Sequence, residues 1–215
     1  MNMEKNKELE DLFTFEIPEL DKMDTMKLPA PEMVTFWRNY KNRILTIDCP
    51  ISENIIEYIK MIIQFNKDDK EIPVENRKPI KIYCYSYGGD QDIGNALIDC
   101  IELSKTPVWV FNMGVCASMM ALIAMAGHKR FAMPKSRYLI HQGQAGVQGQ
   151  TNQVFEVVDN MKKIEAEIKD YVLSHTKIDK RLYTRKSKAE WYVNAEEALE
   201  LGICDEIVKD MDVLY

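Results

Sequence analysis

From Ile80 to Asp90 the chain reads Ile-Lys-Ile-Tyr-Cys-Tyr-Ser-Tyr-Gly-Gly-Asp, and this stretch narrows the possible folds more than any other. An alternating strand runs into two glycines. Apolar residues then recur at Ile93, Ala96, Leu97, Cys100 and Ile101 with helical spacing. A strand that turns through glycine into an amphipathic helix must lay that helix back on its own sheet. The same order recurs on either side. Arg43 to Ile47 reads as a strand before a helix capped by Ser52 with apolar positions Ile55, Ile56, Ile59, Ile62 and Ile63, and Pro107 to Phe111 as a strand before a buried helix from Met119 to Ala126. Alternating strands and helices predict an α/β fold.

The third junction carries chemistry. Gly114 and Ala117 are small enough for the backbone to turn sharply, and Ser118 falls at the amino end of the apolar helix. A helix start offers unpaired N–H groups and a partial positive charge, which suit an oxyanion. His141 follows 23 residues later in Tyr138-Leu-Ile-His-Gln142, giving a nucleophile and a base. Each has an ordinary alternative: a serine in an Ala/Met-rich segment caps helices, and a histidine after a strand is commonly structural. Gly88 and Gly89 add backbone that can approach a ligand closely.

Taken as a set, these segments resemble the proteolytic subunit of the Clp protease, a serine peptidase that assembles into a barrel with internal active sites. The family's Ser-Pro-Gly-Gly stands here as Ser86-Tyr-Gly-Gly89, its Ala-Ala-Ser-Met-Gly as Cys116-Ala-Ser-Met-Met120, and its Met-Ile-His-Gln-Pro as Leu139-Ile-His-Gln-Gly143. Gly146-Val-Gln-Gly-Gln150 is similar to its glycine-rich strand, His175-Thr176 to the pair after its handle helix, and Ala195 to Gly202 to its last helix turn. The resemblance runs in order from about Arg43 to Val208. It implies a ClpP/crotonase-like fold of repeated strand-strand-helix units with a projecting handle helix. It also implies Ser118 as nucleophile, His141 as general base, the N–H groups of Gly88 and Met119 as oxyanion hole, and Gly89, Asp90, Gln144 and Gly146 as substrate-binding positions.

The acid of the triad departs from the family pattern. Counted without gaps from His175, the family's aspartate falls on Glu190, which can orient an imidazole as aspartate does but carries one more methylene. Asp179, from the preceding loop, and the absence of any engaged carboxylate are the alternatives. Tyr87, Met120 and Gly143 replace a proline, a glycine and a proline around the cleft, without removing a backbone donor. The family's ring-linking Asp and Arg fall on Lys188 and Ala189.

With 215 residues, 46% of them hydrophobic, the chain suits one core. Residues 1 to 33 hold nine acidic residues against four lysines and end in Leu28-Pro-Ala-Pro31, so they read as a mobile acidic arm before a single peptidase domain over 34–215. A net charge of −6 without a basic block argues against nucleic acid. The longest near-apolar run, Val115 to Ala126, is short of the roughly 20 residues that span a bilayer, and the start lacks a signal-peptide core, so no membrane role and a cytoplasmic location are expected. The cysteines at 49, 84, 100, 116 and 204 form no CxxC pair and predict reduced thiols, with neither zinc nor disulfides.

The apolar stripe Val154, Val157, Val158, Met161, Ile164, Ile168, Tyr171 and Val172 predicts a helix of about six turns, matching the handle. Asn194 and Glu197 predict a reciprocal N-cap, and Gly202 a helix stop. The expected function is an endopeptidase that cleaves unfolded polypeptides without metal or organic cofactor. By resemblance it works in two stacked heptameric rings and takes substrate from an ATP-driven AAA+ unfoldase, although residues 1–40 do not match the family's gate. The competing readings are a catalytically silent ring or assembly subunit, a phage-type head-maturation protease independent of an unfoldase, and an acyl-CoA enzyme of the crotonase type.

Overall fold

In the computed structural model, residues 30–143 and 146–215 are described. The chain forms two units, residues 1–38 and 39–215. Helix α1 (Pro31–Lys41), of which residues 31–38 belong to the first, opens on Pro31, which suits a first helical position because the missing N–H has no intrahelical acceptor there. Pro31, Glu32 and Met33 are thus helical, while residues 1–29 of the predicted arm lie outside the described residues.

The second unit is built on a seven-stranded sheet. Strands β1 (Ile44–Ile47), β2 (Ile80–Ser86) and β3 (Val108–Ala117) are parallel neighbours. The long β3 pairs through Trp109–Asn112 with β4 (Lys129–Ala132) and, nearer its end, through Val115–Ala117 with β5 (Arg137–Ile140). Strand β6 (Trp191–Asn194) pairs antiparallel with β5, and the short β7 (Glu206–Ile207) pairs parallel with β4.

Helices α2 (Ile56–Asp68), α3 (Gln91–Glu102) and α4 (Met119–Met125) follow the first three strands, as the sequence pattern requires. In α2 the core takes Ile59, Ile62 and Phe65, with Ile55 just before it; Ile56 and Ile63 are exposed, because the buried stripe is narrower than all five isoleucines. Ser52 does not cap α2 with its side chain, since a 3₁₀ turn over Glu53–Ile55 starts the segment instead. In α3 the buried positions are Gly94, Leu97, Ile98 and Ile101, and Ala96 is exposed. The stripe is rotated toward Gly94 because the Met119 side chain fills the space where a Cβ would stand, 2.4 Å from Met119 Cγ.

Helix α5 (Thr151–His175) is a turn longer than expected, and Val172 is its one buried residue. Ile168, Tyr171 and Leu173 pack on the core, and Tyr171 Oη donates to the Leu122 carbonyl at 3.1 Å. Val154, Val158, Met161 and Ile164 are half-buried and Val157 exposed, so most of the apolar stripe is left open. Helices α6 (Lys180–Lys186) and α7 (Ala195–Glu200) complete the unit; α7 starts with the Asn194–Glu197 capping box and ends at Gly202, whose φ is +68°. A second apolar cluster, with Phe111 and Phe131 stacked at 4.4 Å, is covered by Leu214 from the C-terminal turn.

One buried ionic group ties α2 to the sheet. Asp69, 1% exposed, accepts two 2.6 Å bonds from the Arg43 guanidinium and one of 2.8 Å from Thr106 Oγ1. The Arg43 bonds hold its carboxyl below the usual carboxylate range. Because the folded value is depressed, the contribution is present above about pH 4 and fades as pH falls through the folded value. Asp69→Ala leaves the half-buried Arg43 guanidinium without its carboxylate, and chemical denaturation at fixed protein concentration should show a loss of about 3 kcal/mol at pH 7 that narrows below pH 4.

Candidate active site

The site forms where β2 and β3 end side by side. Ser118 links β3 to α4 at φ 54°, ψ −127°, a conformation that costs a non-glycine residue roughly 1–3 kcal/mol. Three features hold it there. Its N–H donates to the Leu139 carbonyl of β5 at 2.8 Å, its carbonyl accepts from Ala121 N–H at 2.9 Å, and all seven residues of α4 are buried. The serine is raised on a tight strand-to-helix elbow while its neighbours are locked in the core.

Gly88 stands against this elbow with φ +95°. A Cβ there would meet the Ala117 carbonyl oxygen and Ser118 Cβ at 2.7 Å and Met119 N at 3.0 Å. Both the dihedral angle and the approach require glycine. The Gly88 N–H makes a long bond of 3.2 Å to Ser86 Oγ, which itself donates to the Cys49 carbonyl at 2.7 Å. Met119 N–H, at the first helical position, has no acceptor among the described residues.

Gly89 is pinned from one side. Ile51 N–H donates to the Gly88 carbonyl at 3.0 Å and Asp90 N–H to the Ile51 carbonyl at 2.8 Å, a parallel bridge. Alternation along an extended chain turns the Gly89 N–H and carbonyl the other way, toward the cleft it lines. The Asp90 side chain is occupied as N-cap of α3, accepting from Ile93 N–H at 3.1 Å. Of the other predicted substrate positions, Gly146 is exposed with open space around it, and Gln144 lies outside the described residues.

Ser118 and His141 line one cleft of about 480 Å³, with Tyr87 at its rim and Leu122, Ile140 and Ile168 as apolar wall. His141 Nδ1 lies 2.6 Å from the Gln142 carbonyl oxygen. A carbonyl can only accept, so the ring proton sits on Nδ1 and Nε2 is left as the basic atom. Gln142 N–H is bonded to the Ser187 carbonyl at 3.2 Å and Gly143 N–H to Glu165 Oε1 of α5 at 2.6 Å, which fix the loop after β5.

Glu190 is not bonded to His141. Its Oε2 accepts from Tyr192 Oη at 2.8 Å, and it is exposed. The cause is a slip in strand pairing. Ile140 pairs with Trp191, but the next link joins Gln142 to Ser187, so Lys188, Ala189 and Glu190 stand opposite the single residue His141. Asp179 is likewise apart, capping α6 through a 2.8 Å bond from Leu182 N–H. Sequence reasoning missed the Gln142 carbonyl, Glu165 and Tyr192. Only Tyr192 left a sequence signal: two residues after Glu190 on a strand, it must share its face.

Two other cavities lack this chemistry. That of about 490 Å³ near Glu102, His128 and His175 has its charges spent on each other, through the 3.0 Å His175–Glu102 and 2.5 Å Arg130–Asp205 pairs. The other, of about 680 Å³, lies between Arg43, Lys81, Trp109 and the C-terminal turn. Among the described residues no group of three His, Cys, Asp or Glu side chains is placed to hold a metal ion. None of their helices is long and apolar enough to cross a membrane.

Comparison with known proteins converges on the same segments. The family model described as Clp protease matches residues 31–211. The ATP-dependent Clp protease proteolytic subunit 2 of Treponema denticola is 35% identical over 135 residues, which cover 62% of this chain and 68% of the relative. A match of that extent, over a mostly parallel α/β sheet, shows that the chain belongs to the Clp protease family of serine-type endopeptidases.

Proposed function

We propose that the protein cleaves unfolded polypeptides at Ser118, with His141 as general base and Glu190 as the acid that orients it. The observation that carries this reading is the elbow: a strained serine lies against the Gly88 backbone, in one cleft with a histidine whose proton sits on Nδ1. Nε2 takes the Ser118 proton as Oγ attacks the peptide carbonyl and returns it to the leaving amine. The N–H groups of Gly88 and Met119 receive the negative oxygen, for which the Gly88 donor exchanges its long bond to Ser86 Oγ. Substrate adds as a strand along the free edge of Gly89, continuing toward Gln144 and Gly146, and Leu122 and Ile168 take an apolar side chain.

Assembly into two stacked heptameric rings, supply of substrate by an AAA+ unfoldase and a cytoplasmic location belong to the same proposal. The half-open apolar stripe of α5 supports the ring contact. The relative's name, an ATP-dependent protease subunit, supports the unfoldase. A silent ring subunit is the second reading, favoured by one observation: the carboxylate of Glu190 rests on Tyr192 and the imidazole on Gln142.

Two experiments separate these readings. If Glu190 orients His141 during turnover, Glu190→Gln should keep assembly and lower peptide hydrolysis by roughly 10²–10⁴-fold, against 10⁴ or more for His141→Ala. Full activity of assembled Glu190→Gln removes the glutamate from the mechanism, and a wild-type assembly without hydrolysis supports the silent subunit. For the ring contact, Val157→Asp with Met161→Glu should reduce the particle in native mass spectrometry while circular dichroism stays unchanged. An intact particle, or an unfolded subunit, contradicts that role for α5.

A further inference from the structure

The pairing slip opposite His141 gives Tyr192 a part in the reaction. Trp191 and Val193 of β6 are buried, so Tyr192 and Glu190 just before the strand lie together on the outer face, as do Leu139 of β5 and His141 just after it. Ile140 pairs with Trp191, and extension of that register by one residue would set Glu190 directly across from His141. Cβ atoms at such a pair stand about 4.5–5.5 Å apart, within a glutamate's reach. The carboxylate instead folds back along its own strand and accepts the Tyr192 phenol at 2.8 Å. His141 meanwhile donates to the Gln142 carbonyl. Each partner of the missing bond therefore has a substitute within its own strand.

We infer that Tyr192 is a positioning residue that holds Glu190 away from His141, so that the productive triad forms when the pairing extends to these two residues and the carboxylate exchanges the phenol for the imidazole Nδ1–H. The inference rests on the role proposed for Glu190. Nothing buries the latch: Tyr192 is 58% exposed, and it faces Tyr87 on the cleft rim and Arg137 of β5. Hydrogen bonding to Glu190 also pushes the phenol above its ordinary value, so the proton stays on tyrosine and the bond keeps its direction. An exposed bond of this kind is weak enough to exchange, and its loss shifts the population of the competent form by roughly two- to tenfold.

The test is a double-mutant cycle on the assembled full chain with a chromogenic peptide. Tyr192→Phe keeps the aromatic ring and removes the hydroxyl. It should raise kcat by roughly two- to tenfold with KM unchanged. In Tyr192→Phe/Glu190→Gln the gain should vanish, leaving the rate of Glu190→Gln alone. An unchanged or lower kcat in Tyr192→Phe, with Glu190→Gln impaired, overturns the latch and leaves the triad standing. A gain that persists in the double variant also overturns it, because the hydroxyl then acts through something other than Glu190. Full activity of Glu190→Gln overturns the role of the glutamate, and the latch with it.

Discussion

The contact between the Gly88 backbone and the Ser118 elbow is the constraint around which the rest of the unit is arranged. Two strand ends cannot come this close if the Gly88 position carries a side chain, because a Cβ there would sit 2.7 Å from Ser118 Cβ. Glycine removes that obstacle and permits the positive φ. The buried helix α4 then supplies what a strained serine needs, because its seven core residues fix where the elbow must lie. Strand β5 completes the support by accepting the Ser118 N–H, and the same strand delivers His141. The serine, the two N–H groups proposed to receive the oxyanion and the histidine proposed as base thus follow from one packed junction rather than three separate placements.

The acid is governed by a weaker interaction. Buried side chains of β6 alternate with exposed ones, so the face of Glu190 is set by Trp191 and Val193, both in the core. Its carboxylate is held at the surface by the phenol of Tyr192, beside the pairing slip that separates it from the imidazole.

Strand-to-helix alternation, the glycine turn, the Asn194 capping box and the Gly202 stop were legible in the sequence because each rests on a local preference. The turn into α4 was legible for the same reason: small residues followed by an unbroken apolar run mark a strand end leading into a buried helix. The exposed faces of α2 and α3 were not, since an isoleucine or alanine in register with a stripe reads as core until the partner is known; Gly94 with Met119 decided the face of α3. Nor was the pairing slip before β6 legible. Counting residues from His175 puts Glu190 one residue before Trp191, yet three residues facing one is a property of two strands together.

The central claim, that the packed junction produces an activated serine, is tested most directly by a fluorophosphonate probe on the assembled protein, with the labelled peptide identified by mass spectrometry. The account predicts one label per subunit, on Ser118, and little or none in His141→Ala. Assembled wild-type protein that takes no label, or takes it only at another residue such as the neighbouring Cys116, would contradict it.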